Sequence, residues 1–476
     1  MVRLTEASFF HYAKCPRWIG RTLTQQQAQS AFERLLLEER LLPEVAQKIL
    51  ATRGTFETVE DEDADDAALR TLDFMRQGVQ TIARGALVGG HWVGRPDIFE
   101  RVEGKSDLGN YYYVAADIKR IHRAQDIGDG HKLQGALYAE LLERAQGVKP
   151  QNGYVLSPEG KLMRYDLESF EVEYRLTLKK IEGLLSGEAP EHILSSGCKA
   201  SPFFAMCVDE TEACDDLSLL NRIYAEEIRE LKRCGIETVM ALASADLAAL
   251  RAKVVDINEK RLQFLQWQAI ALKERLHRVV EPVTFPSAPV ELYFDIEADP
   301  LRDVDFLFGV LRVEHCADGT ITETYHAFLA ERPEDERRAW GEFAAFLDEH
   351  RGAPVYHYGW YEVNVCARLF ERYGAPEGAV ESWREHFYDL NAALRERIIF
   401  PFSFYSLKDL AHSIGFFWRS QDASGIQAVH WYHQWMKTGD RAWLERVTQY
   451  NEDDVRATRQ VKEWAEREAG NKGAGV

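Results

Sequence analysis

A proline-rich stretch, EPVTFPSAP at 281–289, is the feature that most constrains how this chain can fold. Its three prolines disfavour a continuous helix and a central strand, so the stretch predicts a domain boundary. The apolar run VELYFDIEA follows it as a predicted buried strand, and predicted strands and helices alternate from there to the C-terminus. That alternation is typical of an α/β domain.

The chain has 476 residues, which is enough for two or three domains with full-sized cores. We expect an α/β multidomain protein in which residues 1–215 and 286–476 fold as separate domains. Residues 216–285 are rich in leucine and alanine and predict a helical linker. Within the linker, RELKRCGIETVMALASADLAALRA has the helix–turn–helix shape of a helix-hairpin-helix element.

The net charge of −19 counts against a surface that is broadly basic. Part of the charge is local, because residues 57–66 alone hold seven acidic side chains. An acidic total still allows a nucleic-acid enzyme, since metal sites need carboxylates and a basic groove can be local. The sequence has no apolar run long enough to span a bilayer and no secretory leader, so we expect a cytoplasmic protein without a membrane partner.

The most informative residues of the C-terminal domain are carboxylates. Asp295 and Glu297 lie two apart on a predicted strand, so their side chains share one face. Adjacent carboxylates repel each other unless a cation lies between them, and Mg²⁺ and Mn²⁺ prefer such oxygen ligands. Glu362 follows a later strand, and Tyr450 and Asp454 lie at i and i+4 on a predicted helix.

This series resembles the DnaQ-type, or DEDD, 3′–5′ exonucleases, which have an RNase H-like fold. The tyrosine is typical of the DEDDy branch, and within it the resemblance is to the YprB-type domain, over roughly residues 288–470. The resemblance implies that Tyr450 orients an attacking water beside two metal ions. The implied metal ligands are Asp295, Glu297, Glu362 and Asp454. The family pattern usually has aspartate at the position of Glu362.

A second constellation lies in the N-terminal part. Two predicted strands carry Asp97 (in GRPDIF) and then Asp117 and Lys119 (in AADIKR), and the polar stretch EGKSDLGN separates them. Gln134 and Tyr138 follow at i and i+4 on a predicted helix. Two such acids can ligate Mg²⁺, and the lysine can stabilise the charge that develops on a phosphodiester.

This second series resembles the PD-(D/E)xK nucleases in their RecB-like form, over roughly residues 1–215. The resemblance implies a restriction-endonuclease-like domain in which Gln134 and Tyr138 contact DNA or the active site. Many relatives also carry a histidine on an early helix. This chain has none between His11 and His91, so we expect a one-metal site or reduced activity there.

The seven cysteines are an odd number, which argues against a disulfide framework. RecB-like nucleases often bind a 4Fe–4S cluster through one early and three late cysteines. The resemblance implies such a cluster here, with the ligands Cys15, Cys198, Cys207 and Cys214. The family spacing would put a cysteine at Ser201, so either Cys214 replaces it or the cluster is incomplete or lost. Buried thiols without metal are the alternative.

The sequence therefore predicts a metal-dependent nuclease that acts on DNA, with single strands and digestion from an end favoured. Some relatives of this two-domain type continue into a helicase, and this chain has no Walker A pattern, so the resemblance implies that a helicase or repair partner is a separate protein. Two alternatives stay open. One is a nucleic-acid-binding scaffold in which one or both centres have decayed, and the other is an RNA-processing exonuclease.

Overall fold

The computed structural model describes residues 3–24, 49–119, 124–157, 160–188, 193–300, 302–420 and 424–471. The chain divides into two compact units, Met1–Met206 and Cys207–Val476. The proline-rich stretch at 281–289 therefore lies inside the second unit, as does the helical segment 216–285. The division into three domains stays a prediction from the sequence.

The first unit mixes short strands with helices. Its described strands are β1 (Leu4–Thr5), β2 (Phe56–Thr58), β3 (Thr81–Ala83), β4 (Leu87–Gly89), β5 (Trp92–Gly94), β6 (Ile98–Ser106), β7 (Gly109–Ile118), β8 (Asn152–Leu156) and β9 (Leu162–Asp166). Its described helices are α1 (Ala7–Lys14), α2 (Pro16–Thr24), α3 (Ala64–Gln77), α4 (Asp129–Gln146) and α5 (Glu171–Leu185). A further helix, α6 (Phe204–Ala213), runs across the division between the units.

Strands β6 and β7 lie at the centre of a six-stranded sheet with the order β2-β3-β6-β7-β8-β9. They pair antiparallel, as the sequence predicts, but EGKSDLGN is not a loop. Both strands continue into it and leave only Asp107 and Leu108 as the turn. Strand β8 pairs parallel with β7, so α4 is the crossover helix between them. This topology brings one face of α4 against the end of β7.

The second unit contains the longer elements. Its described strands are β10 (Arg278–Val279), β11 (Val290–Asp299), β12 (Val304–His315), β13 (Ile321–Leu329), β14 (Val355–His357), β15 (Phe387–Asp389) and β16 (Ile398–Ile399). Its described helices after α6 are α7 (Ala225–Arg233), α8 (Val239–Ala243), α9 (Leu247–Arg251), α10 (Glu259–Glu274), α11 (Glu336–Glu349), α12 (Tyr361–Tyr373), α13 (Ala379–His386), α14 (Leu390–Leu394), α15 (Leu407–Ser413), α16 (Gly425–Thr438) and α17 (Ala442–Asn471).

A five-stranded mixed sheet with the order β13-β12-β11-β14-β15 organises this unit. β11, β12 and β13 form an antiparallel meander, and β14 and β15 run parallel to β11. Stacked aromatic rings fill the contact with α11, where Phe343 lies 4.6 Å from Phe294 and 5.2 Å from Phe308 between ring centroids. The long helix α17 packs across β11 and β12. Strand β11 therefore contacts both α11 and α17.

Residues 216–280 are less continuous than the sequence predicts. They form the separate helices α7 to α10, because polar side chains cap new helices within the apolar pattern. Asp246 accepts backbone hydrogen bonds at the start of α9, and Asn258 does so at the start of α10. The segment ends in β10, which pairs antiparallel with β16. Among the described helices, none is long and apolar enough to cross a bilayer.

Candidate functional site

The first two residues of the site lie on the central strand β11. Asp295 and Glu297 point to one face, while Phe294 and Ile296 are buried on the other. Glu297 is buried, and Asp295 is partly exposed. The register with β12 shifts between Glu297 and Ala298, so the strand is irregular directly after the second acid.

Helix α17 brings a third carboxylate to this face. Asp454 is buried, and one oxygen each of Asp295, Glu297 and Asp454 lie within 4.8 Å of one another. In the residues that the structure describes, this is the one group of three or more acidic, histidine or cysteine side chains close enough to share an ion. The donor set is all oxygen, which fits a hard divalent cation such as Mg²⁺ or Mn²⁺.

The electrostatics of this face favour a bound cation. Burial raises the pKa of Asp295 and of Glu297 well above the usual range, and the charge of Asp454 raises both further. Burial also raises the pKa of Asp454 to about 7, although the Trp418 indole stabilises its charged form. Three carboxylates that repel one another can all ionise at neutral pH when a divalent cation neutralises them.

Tyr450 lies one helical turn before Asp454 on α17. Its side chain is mostly buried and hydrogen bonds with the Asp454 carboxylate. Burial, followed by the charge of Asp454, raises the pKa of the Tyr450 hydroxyl far above neutrality. The hydroxyl therefore keeps its proton and can act as a hydrogen-bond donor at the acidic face.

Asn451 is a site residue that sequence reasoning missed. Its Nδ2 donates to Asp295 Oδ2 at 2.7 Å, and its Oδ1 accepts from the Tyr325 hydroxyl at 2.9 Å. Gly309, opposite Asp295 on β12, makes the room, because a Cβ there would lie 1.5 Å from Asn451 Oδ1. The available signal was an asparagine directly after the motif tyrosine, on the same buried side of the helix as the acids.

Two further missed residues come from α15 and the segment directly after it. Trp418 Nε1 donates to Asp454 Oδ1 at 2.9 Å and so fixes one carboxylate oxygen. Lys408 Nζ lies 5.4 Å from the Trp418 ring centroid and 5.5 Å from that of Tyr450. Burial lowers the pKa of Lys408, whereas the charges of Asp454 and Glu297 raise it. Lys408 thus contributes one positive charge near the three acids.

Glu362, the fourth predicted acid, lies in the first turn of α12 and is buried. It is not one of the three clustered ligands, but its charge is close enough to raise the pKa of Asp295. Within the described part of the chain, Glu362 Oε2 has no hydrogen-bond partner and lies 3.6 Å from His357 Nδ1, which also has none. A buried carboxylate oxygen in this state is suited to a cation.

A cavity of about 340 Å³ opens beside Tyr450. Its lining residues come from α16, α17 and the segment before α16, and they are Ser420, Trp431, Arg446, Gln449, Tyr450 and Asp453. Arg419 anchors this wall, because its backbone N–H and Nε both donate to Asp453, at 2.9 and 2.7 Å. Of the predicted site residues, Tyr450 lines this cavity and none of the clustered acids does.

In the first unit, the structure also gathers the N-terminal residues. Asp97 directly precedes β6, and its Oδ2 accepts from the Ile118 backbone N–H at 2.7 Å. Asp117, near the end of β7, accepts from the Asp97 backbone N–H at 3.3 Å and lies 3.8 Å from Lys119 Nζ. The Tyr138 hydroxyl on α4 lies 3.4 Å from both Asp117 oxygens.

The remaining N-terminal residue, Gln134, is near a histidine that sequence reasoning missed. His131 lies one turn earlier on α4, and Gln134 Oε1 is buried without a hydrogen-bond partner among the described residues. Burial and the charge of Lys119 lower the pKa of His131, while the charge of Asp117 raises it. His131 therefore belongs to the same cluster, and its signal in the sequence was the i, i+3 spacing to Gln134.

The cysteines are only partly brought together. Cys15 and Cys198 are both buried in the first unit, and the hydrogen bond between their thiols lowers the pKa of Cys198 to about 6. Cys207 and Cys214 fall in the second unit, where Cys207 is buried and Cys214 is exposed. The Ser201 hydroxyl accepts from the Phe203 backbone N–H at 3.2 Å. Among the described residues, no three of these thiols lie close enough together to share an ion, and the four-cysteine cluster stays a prediction.

Comparison with known proteins supports one of the two domains. Residues 292–466 match the family model RNase_H_2, which belongs to the RNase H superfamily. The match begins in β11, ends in α17 and includes all five predicted C-terminal site residues. The C-terminal domain is therefore RNase H-like, as the sequence predicts, and such a domain suggests a nuclease-type activity and binding of nucleic acid.

A search of curated proteins gave no match. The RNase_H_2 match does not extend to residues 1–291, so the RecB-like assignment of the N-terminal domain stays a prediction.

Proposed function

We propose that the C-terminal domain hydrolyses phosphodiester bonds of DNA, with a divalent metal, from the end of a single strand. The observation that carries the proposal is the group of Asp295, Glu297 and Asp454, whose oxygens lie within 4.8 Å of one another inside an RNase H-like domain. Burial and mutual repulsion raise the pKa values of these three acids, and perturbed carboxyl groups held together in this way are typical of functional sites.

Each residue has a role in this reaction. Asp295, Glu297 and Asp454 would hold the cation, and Glu362 would add a ligand from α12. A bound Mg²⁺ or Mn²⁺ supplies Lewis acidity and lowers the pKa of water. The Tyr450 hydroxyl orients the attacking water, and Lys408 reduces repulsion between the acids and the phosphate. Asn451 and Trp418 fix the carboxylates of Asp295 and Asp454.

Exposed aromatic rings favour an unpaired strand as the substrate. Trp360 and Tyr361 directly precede Glu362 and are 72% and 42% exposed, and Phe417 next to Trp418 is 68% exposed. Rings of this kind stack on bases that are not paired, with a contribution of about 1–3 kcal/mol per base. They adjoin residues of the site, so we expect them to receive the end of the strand.

The test is degradation of labelled oligonucleotides of one sequence in Mg²⁺, in Mn²⁺ and in chelator. We expect metal-dependent release of mononucleotides from the 3′ end of single-stranded DNA, and less from a duplex. A 3′-blocked strand separates end digestion from internal cleavage. Faster loss of the ribo-oligonucleotide would instead support the RNA-processing alternative, and equal loss in chelator would overturn the proposal.

We propose a second, RecB-like centre in the first unit, at Asp97, Asp117, Lys119, Gln134 and Tyr138. The distances among these side chains and the crossover helix α4 support it. Asp97 and Asp117 would ligate a cation, and Lys119 would stabilise the developing charge. Lys119 and Tyr138 both approach the Asp117 oxygens that a cation would use. The competing proposal is therefore a nucleic-acid-binding scaffold in which this centre has lost its activity. A separate helicase or repair protein would be the partner of either form.

The 4Fe–4S cluster of the N-terminal domain is also a proposal, which rests on the buried pair Cys15 and Cys198. Anaerobic purification followed by iron and sulfide determination tests it directly. Iron and sulfide that disappear with Cys198→Ser would support the cluster. Their absence from the wild type would leave a pair of buried thiols.

A further inference from the structure

A groove outside the catalytic face has the features of a ligand site. It encloses about 270 Å³ within the second unit. Helix α10, the residues before α7 and the residues directly after α14 form its walls. The lining residues are Asn221, Arg222, Tyr224, Arg261, Phe264, Gln268, Arg395 and Glu396. None of them belongs to the carboxylate site, and the proposed hydrolysis does not use them.

Two arginines in this groove are not neutralised by the protein. Among the described residues, neither Arg222 nor Arg395 makes a side-chain ion pair, and Arg395 Nε is buried without a hydrogen-bond partner. Arg261, in contrast, donates to both Glu227 oxygens, at 2.7 and 2.8 Å. Glu396 is the one acid in the lining and is exposed. Two uncompensated guanidinium groups in a chain of net charge −19 point to an anionic ligand.

The groove also offers a ring and a hydrogen-bond acceptor. Tyr224 is 56% exposed, and the Arg261 guanidinium lies 5.7 Å from its ring centroid. Gln268 is 2% exposed, and its Nε2 donates to the Asn221 carbonyl at 3.3 Å. Gln268 Oε1 is buried and has no partner within the described residues, so it can accept a hydrogen bond from an N–H or O–H donor of a ligand.

Contacts within the protein fix the backbone of this groove without a ligand. Arg222 has a left-handed conformation, with φ +54°, and its carbonyl accepts from Arg261 Nη2 at 2.7 Å. Asn221 Nδ2 donates to the Ser403 carbonyl at 2.8 Å, which ties the segment before α7 to the segment after β16. A preformed site loses less entropy when it binds a ligand than a flexible one does.

We propose that this groove binds one nucleotide unit of a nucleic-acid strand, at a distance from the hydrolysed end. Arg222 and Arg395 hold the phosphate, the Tyr224 ring stacks on the base, and Gln268 Oε1 accepts a hydrogen bond from a base amino group or a sugar hydroxyl. The proposal rests on the proposed function for the source of the nucleotide. The groove retains the strand and takes no part in the hydrolysis at the carboxylate site.

The experiment measures binding of the full chain to a fluorescent single-stranded oligonucleotide in chelator, over a range of salt concentrations. Arg222→Asn removes the charge and keeps a residue that tolerates positive φ, and Arg395→Gln removes the second charge. Arg229→Gln is the matched control, because Arg229 lies on α7 outside the groove lining and pairs with Glu226 at 2.8 Å. For a single strand, each lost phosphate contact lowers the salt slope by about 0.7.

We expect the double variant Arg222→Asn/Arg395→Gln to bind the strand more weakly with a shallower salt slope, and the control to match the wild type. An unchanged slope and affinity in a folded double variant would overturn the proposal. Competition with a free mononucleotide separates the two sources of the ligand. Displacement by the mononucleotide as effective as displacement by the strand would assign the groove to free nucleotide and overturn its role in strand retention.

The assay also separates this proposal from the proposed function. Binding in chelator needs no hydrolysis, so the decrease in salt slope can be measured even if the protein has no nuclease activity. Metal-dependent hydrolysis of a short oligonucleotide by the double variant reports on the catalytic face alone. We expect the double variant to retain hydrolysis and to bind the strand with a shallower salt slope. Retained hydrolysis with an unchanged salt slope would show that the groove does not hold the strand.

Discussion

The absence of a side chain at Gly309 lets Asn451 reach Asp295. The asparagine joins Tyr325 of β13, Asp295 of β11 and helix α17 through hydrogen bonds of 2.9 and 2.7 Å. It therefore fixes one catalytic carboxylate against the helix that carries another. Groups that orient metal ligands in this way commonly change metal affinity or activity about 10–100-fold when they are lost.

Replacement of this glycine tests the contact. A Cβ at residue 309 would lie 1.5 Å from Asn451 Oδ1, so Gly309→Ala must move the asparagine away from Asp295. We expect about 1–3 kcal/mol of destabilisation from overpacking and weaker Mn²⁺ binding, measured by thermal unfolding and calorimetry. The control is Gly341→Ala on α11, where a Cβ would meet nothing within 4 Å. Equal Mn²⁺ affinity in both variants would contradict the role of Asn451.

Tyr450→Phe tests the role of the hydroxyl alone. The phenyl ring preserves the buried packing and the contact with Lys408, but it cannot donate a hydrogen bond at the acidic face. We expect kcat to fall about 10–100-fold with little change in Mn²⁺ affinity, because the hydroxyl orients water and does not ligate. An unchanged kcat would remove Tyr450 from the reaction.

The pKa of Asp454 predicts a pH effect in the protein without metal. Burial raises this pKa from 3.8 to about 7, so the folded state prefers the protonated acid. The stability that follows is complete at low pH and is lost as the pH rises through the folded pKa. In chelator, the wild type should therefore lose more unfolding free energy than Asp454→Asn between about pH 4 and pH 8.

Denaturant titrations at several pH values measure this difference. Addition of Mn²⁺ should restore the stability of the wild type at high pH, since the ion binds the deprotonated acids, and should restore less in Asp454→Asn. Stability curves that stay parallel for the two proteins in chelator would contradict the raised pKa of Asp454.

At the scale of elements, much of the C-terminal domain could be predicted from the sequence. The apolar run of β11, the later strands and the alternation with helices all lie where the pattern predicts them. Strand and helix periodicity predicted that Asp295 lies beside Glu297 and Tyr450 beside Asp454, and the resemblance to the DEDD exonucleases joined the two pairs into one acidic face. The family match at residues 292–466 supports the same fold.

Other elements could not be predicted, for identifiable physical reasons. The pairing of β10 with β16 depends on tertiary contact between short segments that are far apart in sequence, and neither segment has a pattern of its own. Lys408 and Trp418 reach the acids through packing of α15 and the segment after it, which no spacing rule describes. Helices α7 to α10 are separate because capping residues compete with a continuous apolar pattern.

The aromatic contact between β11, β12 and α11 predicts where the stability of the domain lies. Phe294 is fully buried and stacks on Phe343, so Phe294→Ala should cost about 3–5 kcal/mol. The control is Ile321→Ala on β13, where the side chain is 51% exposed, and it should cost less than about 0.5 kcal/mol. Chemical denaturation measures both, and equal costs would contradict the assignment of the core.

At the scale of the whole molecule, a net charge of −19 is compatible with nucleic-acid binding because the charged side chains are distributed unevenly. Acidic residues gather at a candidate metal face, while Arg222 and Arg395 face a groove without ion-pair partners among the described residues. Composition alone predicts neither arrangement. The second unit contains the RNase H-like domain and the first contains the proposed RecB-like centre, so the experiment must separate the two.

Degradation of end-labelled single-stranded DNA in Mn²⁺ tests this assignment most directly, with the wild type, Asp295→Ala, Asp117→Ala and the double variant compared. The account predicts metal-dependent degradation by the wild type and loss of most of it in Asp295→Ala. Residual activity that disappears only in the double variant would identify the second centre at Asp117. Full activity in a folded Asp295→Ala protein, or a wild type that is inert in Mn²⁺, would contradict the central claim that the clustered carboxylates of the RNase H-like domain carry the hydrolysis of nucleic acid.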